Sequence, residues 1–220
     1  MEIITEQQYE AICRNAQVLQ SDSFGIKVLR LADGQIVKSF RRKRLLSSAL
    51  LYPYAYRFQK NALRLTAAGI RTVKVNRLCY CPSRSRHLVF YEPVPGICLR
   101  SHLADASPNC QILKQFAEFF AELHAKGIYF RSFHFGNVFV LPDSEGFALI
   151  DMADLSFRSA PLDFTLRLRN FRHLLRYEED INSLERFGEG RFVAIYARKA
   201  GLSEAQGSII HRRLSLAMHA

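Results

Sequence analysis

Alternating apolar and polar positions in the first third of the chain predict a β-rich segment. The pair Asp33 and Gly34 supplies a two-residue turn between two of the apolar runs, which is typical of a β-hairpin. A helix is predicted over residues 55–68, where Gly69 provides the stop. Strands are predicted over residues 25–31, 35–40, 72–78 and 87–91.

Helical spacing replaces this alternation in the second half of the chain, after a Pro- and Gly-rich stretch at residues 92–96 that is typical of a linker. A helix over residues 112–126 is predicted from apolar positions that share one helical face, namely Leu113, Phe116, Phe119, Phe120 and Leu123. Short apolar runs at residues 138–141 and 147–150 predict a second hairpin, turned through residues 142–146. The Arg-rich tail from Asp163 onward is predicted to be helical.

Composition places the chain among globular proteins that bury a full core, as one domain or as two lobes. It has 220 residues, of which 49% are hydrophobic, and no low-complexity run. We expect a soluble cytoplasmic protein, because the N-terminus lacks a signal-peptide pattern and no apolar run approaches the ~20 residues of a membrane span. The five cysteines are expected to be mostly buried thiols, since Cys79 and Cys81 have no second pair at metal-ligand spacing.

Positive charge is concentrated in one contiguous segment. Thirteen Lys and Arg residues and no Asp or Glu lie between Gln35 and Tyr91, whereas the rest of the chain holds 18 basic and 20 acidic residues. The segment is either a solvated basic face or a surface that attracts a polyanion, such as a nucleotide, a nucleic acid or a phosphate-rich membrane. We favour the polyanion, because the bias is confined to one segment.

Polar positions that suit phosphoryl transfer follow one another in the order that protein kinases use. Lys38 ends an apolar strand, the context in which kinases place the lysine that binds nucleotide phosphates. The run Phe130-Arg131-Ser132-Phe133-His134-Phe135-Gly136-Asn137 fits the kinase catalytic loop H-R-D-x-x-x-x-N in its length, its Arg and its Asn. Asp151, fourteen residues after Asn137, ends the next hairpin, where kinases place the aspartate that holds Mg²⁺. Asn137 and Asp151 would therefore offer two oxygen ligands to one Mg²⁺ ion, and with Lys38 they would bind ATP.

Element order and motifs together predict one α+β domain with a bilobal protein-kinase-like fold. Residues 1–93 are expected to form a small β-rich N-lobe and residues 94–220 a mainly helical C-lobe. The sequence resembles the lipopolysaccharide core heptose/Kdo kinase family, most closely its subgroup of toluene tolerance proteins. The matching segments are residues 56–62, 69–73, 129–137, 149–154 and 168–176. The resemblance implies a Gram-negative source, ATP with Mg²⁺, a core sugar hydroxyl of lipopolysaccharide as acceptor, and a cytoplasmic location at the inner membrane.

The sequence departs from a working kinase at three places. Ser132 stands where an aspartate should accept the acceptor proton, and a serine hydroxyl is no base near neutral pH. His134 or Asp154 could take over that role. The helix has no acid that could pair with the strand lysine, because no Asp or Glu occurs between Gly34 and Glu92. Asn61 lies near the place where kinases have that acid. There is also no G-x-G-x-x-G loop, because residues 21–25 offer a single glycine.

Three functions remain open on these residues. The first is an atypical phosphotransferase of lipopolysaccharide core assembly, in which Lys38 contacts ATP phosphates, Arg131 braces the catalytic loop and the basic N-lobe meets a phosphorylated acceptor. The second is a pseudokinase that serves envelope biogenesis as a nucleotide-binding or scaffold protein, which is favoured if no carboxylate or imidazole lies beside residue 132. The third is a nucleic-acid-binding module that uses the basic segment and residues 169–172, although no recognised nucleic-acid motif accompanies them.

Overall fold

The computed structural model describes residues 1–41, 52–104, 110–142 and 146–218. The chain divides into two compact units, Met1–Val94 and Pro95–Ala220. The first unit is built on a β-sheet and the second is mainly helical, which confirms the predicted α+β class. The basic run at residues 42–44 and the tip of the second predicted hairpin, residues 143–145, lie outside the described residues.

A six-stranded sheet forms the first unit. Its strands in spatial order are β1 (Glu2–Ile3), β6 (Lys74–Cys81), β7 (Arg86–Glu92), β4 (Ile36–Arg41), β3 (Gly25–Leu31) and β2 (Ala16–Asp22). The β1–β6 pair is parallel and the other neighbouring pairs are antiparallel. The strand predicted at residues 72–78 is instead two strands interrupted at Val73, namely the short β5 (Arg71–Thr72) and then β6, which continues to Cys81.

Two helices pack on opposite faces of this sheet. Helix α1 (Glu6–Arg14) covers an apolar cluster whose members come from the sheet and its first turn, namely Ile4, Leu29, Val37, Cys79, Cys81, Leu88 and Phe90. Helix α2 (Tyr54–Ala67) places Phe58 against Phe40, with ring centroids 5.9 Å apart. Because successive side chains of a strand point to opposite faces, Lys38 shares the α2 face with Phe40. The apolar pattern does not predict α1, so the described residues of the β-rich unit contain one helix more than expected.

The second unit contains six helices and five short strands among its described residues. Its helices are α3 (Leu99–Ala104), α4 (Cys110–Ala125), α5 (Phe164–Leu174), α6 (Glu178–Phe187), α7 (Glu189–Ala200) and α8 (Glu204–Met218). Its strands are β8 (Ile97–Cys98), β9 (Ile128–Phe130), β10 (Val138–Val140), β11 (Phe147–Leu149) and β12 (Leu155–Phe157). Strand β10 pairs antiparallel with both β8 and β11, and β9 pairs antiparallel with β12.

Aromatic side chains fill the core of this helical unit. Phe116 and Phe120 of α4 are fully buried and stack on Phe133, with ring centroids 5.6 Å and 4.6 Å away. Helix α4 ends at Gly127, whose φ of +69° is left-handed and where an added Cβ would come within 2.6 Å of a backbone oxygen. The core therefore packs α4 against the segment that carries the predicted catalytic loop. No helix in the described ranges combines the length and apolar character needed to cross a bilayer.

Candidate functional site

The predicted catalytic loop lies between β9 and β10 and ends in a short 3₁₀ helix, Phe135–Asn137. The β10–β11 register pairs Val138 with Leu149. One step further, the Ile150 N–H donates to the Asn137 carbonyl oxygen at 3.0 Å, which extends the ladder to the end of the hairpin. Asn137 and Asp151 therefore emerge at the same end of this hairpin.

Both predicted magnesium ligands are held in defined conformations. Asn137 is only 8% exposed, and its Nδ2 donates to the backbone oxygen of Ser132 at 2.8 Å. Because the amide nitrogen is engaged in this way, the Oδ1 atom is the one that suits a cation. Asp151 is half-buried and has a left-handed backbone, with φ 55° and ψ 42°. A non-glycine residue in this conformation is uncommon, and such residues concentrate at functional sites.

A carboxylate lies beside the position where the kinase motif has its aspartate. The antiparallel pairing of β9 with β12 sets Phe130 opposite Leu155, so the residues that follow β9 meet the residue that precedes β12. The Ser132 hydroxyl accordingly donates to Asp154 Oδ2 at 3.2 Å. Arg131, which is largely exposed, forms an ion pair with the other carboxylate oxygen at 3.5 Å. Ser132, Arg131 and Asp154 thus form one connected group.

His134 has a different environment from Asp154. Its Nδ1 is buried and has no hydrogen-bond partner among the described residues, and its ring lies edge-on to Tyr177 with centroids 4.7 Å apart. Burial, followed by the nearby Arg100 guanidinium, lowers the pKa of His134 to about 4. A Cβ added at Gly136 would lie 3.2 Å from the imidazole, so the ring is packed against the loop backbone. His134 is therefore a neutral packing residue at neutral pH in this conformation.

A buried aspartate on helix α6 fastens the middle of the loop. The Asp180 carboxylate is fully buried and accepts hydrogen bonds from Arg100 Nε at 2.7 Å and from Arg100 Nη2 at 3.0 Å. It also accepts the backbone N–H of Phe135 at 2.9 Å. The bidentate hydrogen bond to Asp180 raises the pKa of Arg100, and its two parallel N–H···O bonds fix the orientation of both side chains.

A second buried network fastens the start of the loop. Asn170 of α5 donates to the Phe130 carbonyl oxygen at 2.8 Å and accepts the Phe130 N–H at 3.3 Å. His124 joins this amide, at 3.2 Å from Asn170 Oδ1, to the Tyr196 hydroxyl, 2.7 Å from its other ring nitrogen. Arg167 donates to the same hydroxyl at 2.9 Å. Strand β9 is therefore clamped by side chains from α4, α5 and α7.

Lys38 and Asn61 belong to the first unit. Lys38 pairs with Val28 on one side and Val89 on the other, in the middle of the sheet, and its Nζ lies 5.6 Å from the centroid of the Phe40 ring. Asn61 is buried on α2, on the helix face that also buries Phe58. The lysine and the helix amide are thus on the same side of the sheet, and an amide stands where the kinase pattern has a carboxylate.

Sequence comparisons provide no relative for this chain, since no protein-family profile and no curated protein matches it. Comparison with solved structures identifies proteins of similar fold. A co-crystal structure of WbdD with a kinase inhibitor superposes with a TM-score of 0.54 over 86% of this chain, at 16% identity. A second structure, described as the bifunctional kinase-methyltransferase WbdD, has a TM-score of 0.51 over the same share and at the same identity. The fold is protein-kinase-like.

The chain spans less than half of the WbdD chains that it resembles, 43% of one and 47% of the other. A PknI kinase domain from Mycobacterium tuberculosis is covered almost completely, over 96% of its length and 92% of this chain, with 16% identity and a TM-score of 0.44. The similarity to the two WbdD structures confirms the fold predicted from the order of the elements. The roles of the individual site residues remain predictions.

Several residues that build the site were not predicted. Asp180 lies in an acidic run with Glu178 and Glu179, and nothing in the sequence separates the buried acid from its exposed neighbours. Asn170 stands among arginines and is equally inconspicuous, although its buried position follows from the helical spacing with Phe171 and Leu174. Arg100 has no sequence signal at all. These residues support the loop from other elements, so only the tertiary structure reveals them.

Proposed function

We propose that this protein is an atypical ATP- and Mg²⁺-dependent phosphotransferase that acts on a sugar hydroxyl of an envelope glycolipid, in the manner of a lipopolysaccharide core kinase. The observation that carries the proposal is the β10–β11 hairpin of a protein-kinase-like fold, with Asn137 and Asp151 at one end. The carboxylate of Asp154 beside Ser132 supports catalysis at the same place.

The two hairpin residues fit a magnesium site of the nucleotide-binding kind. Mg²⁺ usually takes one or two protein oxygens and completes its octahedron with substrate phosphates and water. Asn137 Oδ1 and the Asp151 carboxylate match that number, and within the described ranges no larger group of His, Cys, Asp or Glu competes as a metal site. When bound, Mg²⁺ would neutralise phosphate charge, while Lys38 would contribute a cation toward the phosphates.

Asp154 fits the role of the general base that Ser132 cannot fill. Its carboxylate is half-buried, accepts the Ser132 hydroxyl and is braced by Arg131. A sugar hydroxyl that approached Ser132 would therefore lie close to the Asp154 carboxylate, which could accept its proton. His134 is less suited, because its imidazole is packed against Tyr177 and is neutral through burial rather than poised near its ordinary pKa.

The acceptor and location follow from the resemblance and the charge pattern. The resemblance of residues 129–137 and 149–154 to the lipopolysaccharide core kinases favours a phosphorylated glycolipid acceptor. The acid-free basic segment suits peripheral contact with an anionic inner membrane. The description of WbdD as a kinase-methyltransferase agrees with phosphoryl transfer by this fold. Nucleic acid is not expected as a partner.

The alternative is a pseudokinase that binds nucleotide or serves as a scaffold in envelope biogenesis. Two replacements favour it, since Ser132 lacks the basicity of an aspartate and Asn61 cannot form the ion pair that orients the strand lysine in active kinases. The phosphotransferase and the nucleotide-binding pseudokinase use the same metal–nucleotide site, so nucleotide binding tests this shared part and turnover separates the two functions.

Calorimetric titration of Mg²⁺–ATP into the wild type and Asp151→Ala tests the shared part. We expect metal-dependent binding in the wild type and its loss in Asp151→Ala, because that variant removes one of the two protein ligands. Glu122→Ala is the matched control, since Glu122 pairs with Lys126 on the surface of α4. If the wild type binds no nucleotide at millimolar concentration with Mg²⁺ present, the phosphotransferase and the nucleotide-binding pseudokinase are both excluded.

A further inference from the structure

Helix α5 carries an exposed stripe of arginines. Arg169 and Arg172 are three residues apart and project from one face of the helix, and Arg176 follows just beyond the helix end. All three are exposed, whereas the opposite face buries Phe171 and Leu174 in the core. We refer to these three residues as the arginine stripe.

The arginine stripe is fixed next to the catalytic loop. The Tyr129 hydroxyl lies 3.0 Å from Nε2 of His173, which joins strand β9 to the middle of the stripe. Arg131 follows two residues after Tyr129 and is 60% exposed. The pKa of His173 is lowered by burial first and then by the charges of Arg176, Arg131, Arg172 and Arg169.

No acid in the described part of the chain neutralises the stripe. Among the described residues, none of its three arginines forms an ion pair or a hydrogen bond with a carboxylate. The nearby acids are engaged elsewhere, since Asp154 pairs with Arg131 and Asp180 with Arg100. Glu178 and Glu179 are exposed at the start of α6. Like charges held this close repel one another unless an anion lies among them, so the arrangement suits a ligand of high negative charge.

We propose that the arginine stripe, together with Arg131, is the binding site for a phosphomonoester on the acceptor. This inference rests on the proposed phosphotransferase function and names the class of its acceptor, a phosphorylated sugar. The guanidinium group binds phosphate oxygens through paired N–H donors, and several guanidinium groups together match a dianionic phosphomonoester better than a singly charged phosphodiester. Bound there, the phosphate would hold the sugar against the loop that contains Ser132 and Asp154.

The test measures binding without nucleotide, so that it is independent of the metal site. Two probes carry a phosphomonoester, namely a soluble hexose 6-phosphate and vesicles of phosphatidylcholine doped with phosphatidic acid. Glucose and vesicles doped with phosphatidylglycerol, a phosphodiester, are the reference probes. The variants are Arg169→Gln/Arg172→Gln and the control Arg198→Gln/Lys199→Gln, which removes the same charge from exposed positions on α7. Circular dichroism melting confirms that both variants fold.

We expect a phosphomonoester probe to bind the wild type and the α7 control alike, and to bind the stripe variant at least about 10-fold more weakly, because two charge-assisted hydrogen-bonding groups are lost. Binding of the hexose phosphate identifies a soluble acceptor, and binding of phosphatidic acid vesicles alone identifies a membrane-held one. Equal binding to phosphatidic acid and phosphatidylglycerol vesicles, equal losses in the two variants, or no binding of either phosphomonoester overturns the proposal. Failure of the proposed function would appear separately, as absent Mg²⁺–ATP binding.

Discussion

At the scale of single residues, the loop keeps a carboxylate although its motif position has lost one. Ser132 occupies the motif position, and its hydroxyl donates to Oδ2 of Asp154, just before β12, at 3.2 Å. The β9–β12 pairing makes this contact possible, because it brings residue 154 level with the turn after Phe130. A sequence motif is read along the chain, whereas a proton acceptor needs only to be near in space.

This arrangement predicts that Asp154→Asn lowers phosphoryl transfer without changing nucleotide affinity. The amide keeps an oxygen acceptor for the Ser132 hydroxyl but has no basicity, and general-base catalysis is worth about 10²–10⁴-fold. We therefore expect turnover to fall by about 10²-fold or more, with an unchanged dissociation constant for Mg²⁺–ATP. Formation of ADP from ATP in the presence of a phosphorylated sugar as acceptor measures turnover, and calorimetric titration measures the dissociation constant.

His134→Gln is the comparison for that experiment, and its turnover should remain close to that of the wild type. An Asp154→Asn variant as active as the wild type would remove Asp154 from the mechanism. A wild type that binds nucleotide but never turns it over, with a range of phosphorylated sugars as acceptors, would establish the pseudokinase alternative.

At the scale of elements, the loop depends on helices that are distant in sequence. Strand β9 has only three residues, too few to be stable on the strength of one ladder with β12. Asn170 of α5 compensates, because its side chain forms hydrogen bonds with both the N–H and the carbonyl oxygen of Phe130. The position of the catalytic loop is thus set by a helix that begins more than thirty residues later.

We accordingly predict that Asn170→Ala destabilises the protein by about 3 kcal/mol, because it removes the buried hydrogen-bond partner of the Phe130 N–H and of a ring nitrogen of His124. The Phe130 carbonyl oxygen keeps the hydrogen bond from the Phe133 N–H, at 3.2 Å. Hydrogen exchange should show that the Phe130 amide loses protection. Amides in the middle of α7 should still exchange only through global unfolding of the variant. Asn182→Ala, at an exposed position of α6, serves as control and should cost no more than about 0.5 kcal/mol. Equal effects of the two substitutions would show that Asn170 does not hold the strand.

Elements with enough residues to show a period were predictable, and so were the short strands β10 and β11, whose apolar runs flank a turn sequence. Other short strands were not. The helix predicted over residues 55–68 runs Tyr54–Ala67, and the strand predicted over residues 25–31 is β3 with the same bounds. Strands of two or three residues, such as β8, β9 and β12, contain too little alternation to be recognised. Helix α1 has only nine residues and buries none of them fully, so its apolar stripe is short. Its signal was the capping box of Thr5 and Gln8, whose side-chain and backbone hydrogen bonds the structure contains.

At the scale of the whole molecule, the fold could be predicted because element order and motif spacing agree with one architecture. Structural similarity at 16% identity confirms that architecture, although no sequence relative was found. The supporting residues of the site could not be predicted in the same way. Asp180, Arg100 and Asn170 act through contacts between elements, and the identity of such residues depends on how helices pack rather than on a local pattern.

The buried network of the helical unit also makes stability depend on pH. His124 is fully buried between Tyr196 and Asn170, and burial lowers its pKa from 6.5 to about 3. The unfolded chain therefore takes up a proton at His124 near pH 6.5, whereas the folded chain does not until about pH 3. The resulting stabilisation is complete above pH 6.5 and is lost as the pH falls through this window, by about 1.4 kcal/mol per pH unit.

We predict that His124→Gln, which carries no titratable group, flattens this dependence even though it lowers stability at neutral pH. Urea unfolding followed by far-ultraviolet circular dichroism reports on the helical unit, because six of the eight described helices belong to it. Between pH 6.5 and about 5, the free energy of unfolding of the wild type should fall more steeply than that of the variant, by about 1.4 kcal/mol per pH unit. The slope that remains in the variant belongs to His134 and His173, whose pKa values are also lowered by burial, and to carboxylates. His211→Gln, at an exposed histidine, should reproduce the wild-type slope. Parallel curves for the wild type and His124→Gln would show that His124 is already protonated in the folded protein, and that the network around Tyr196 accommodates the charge.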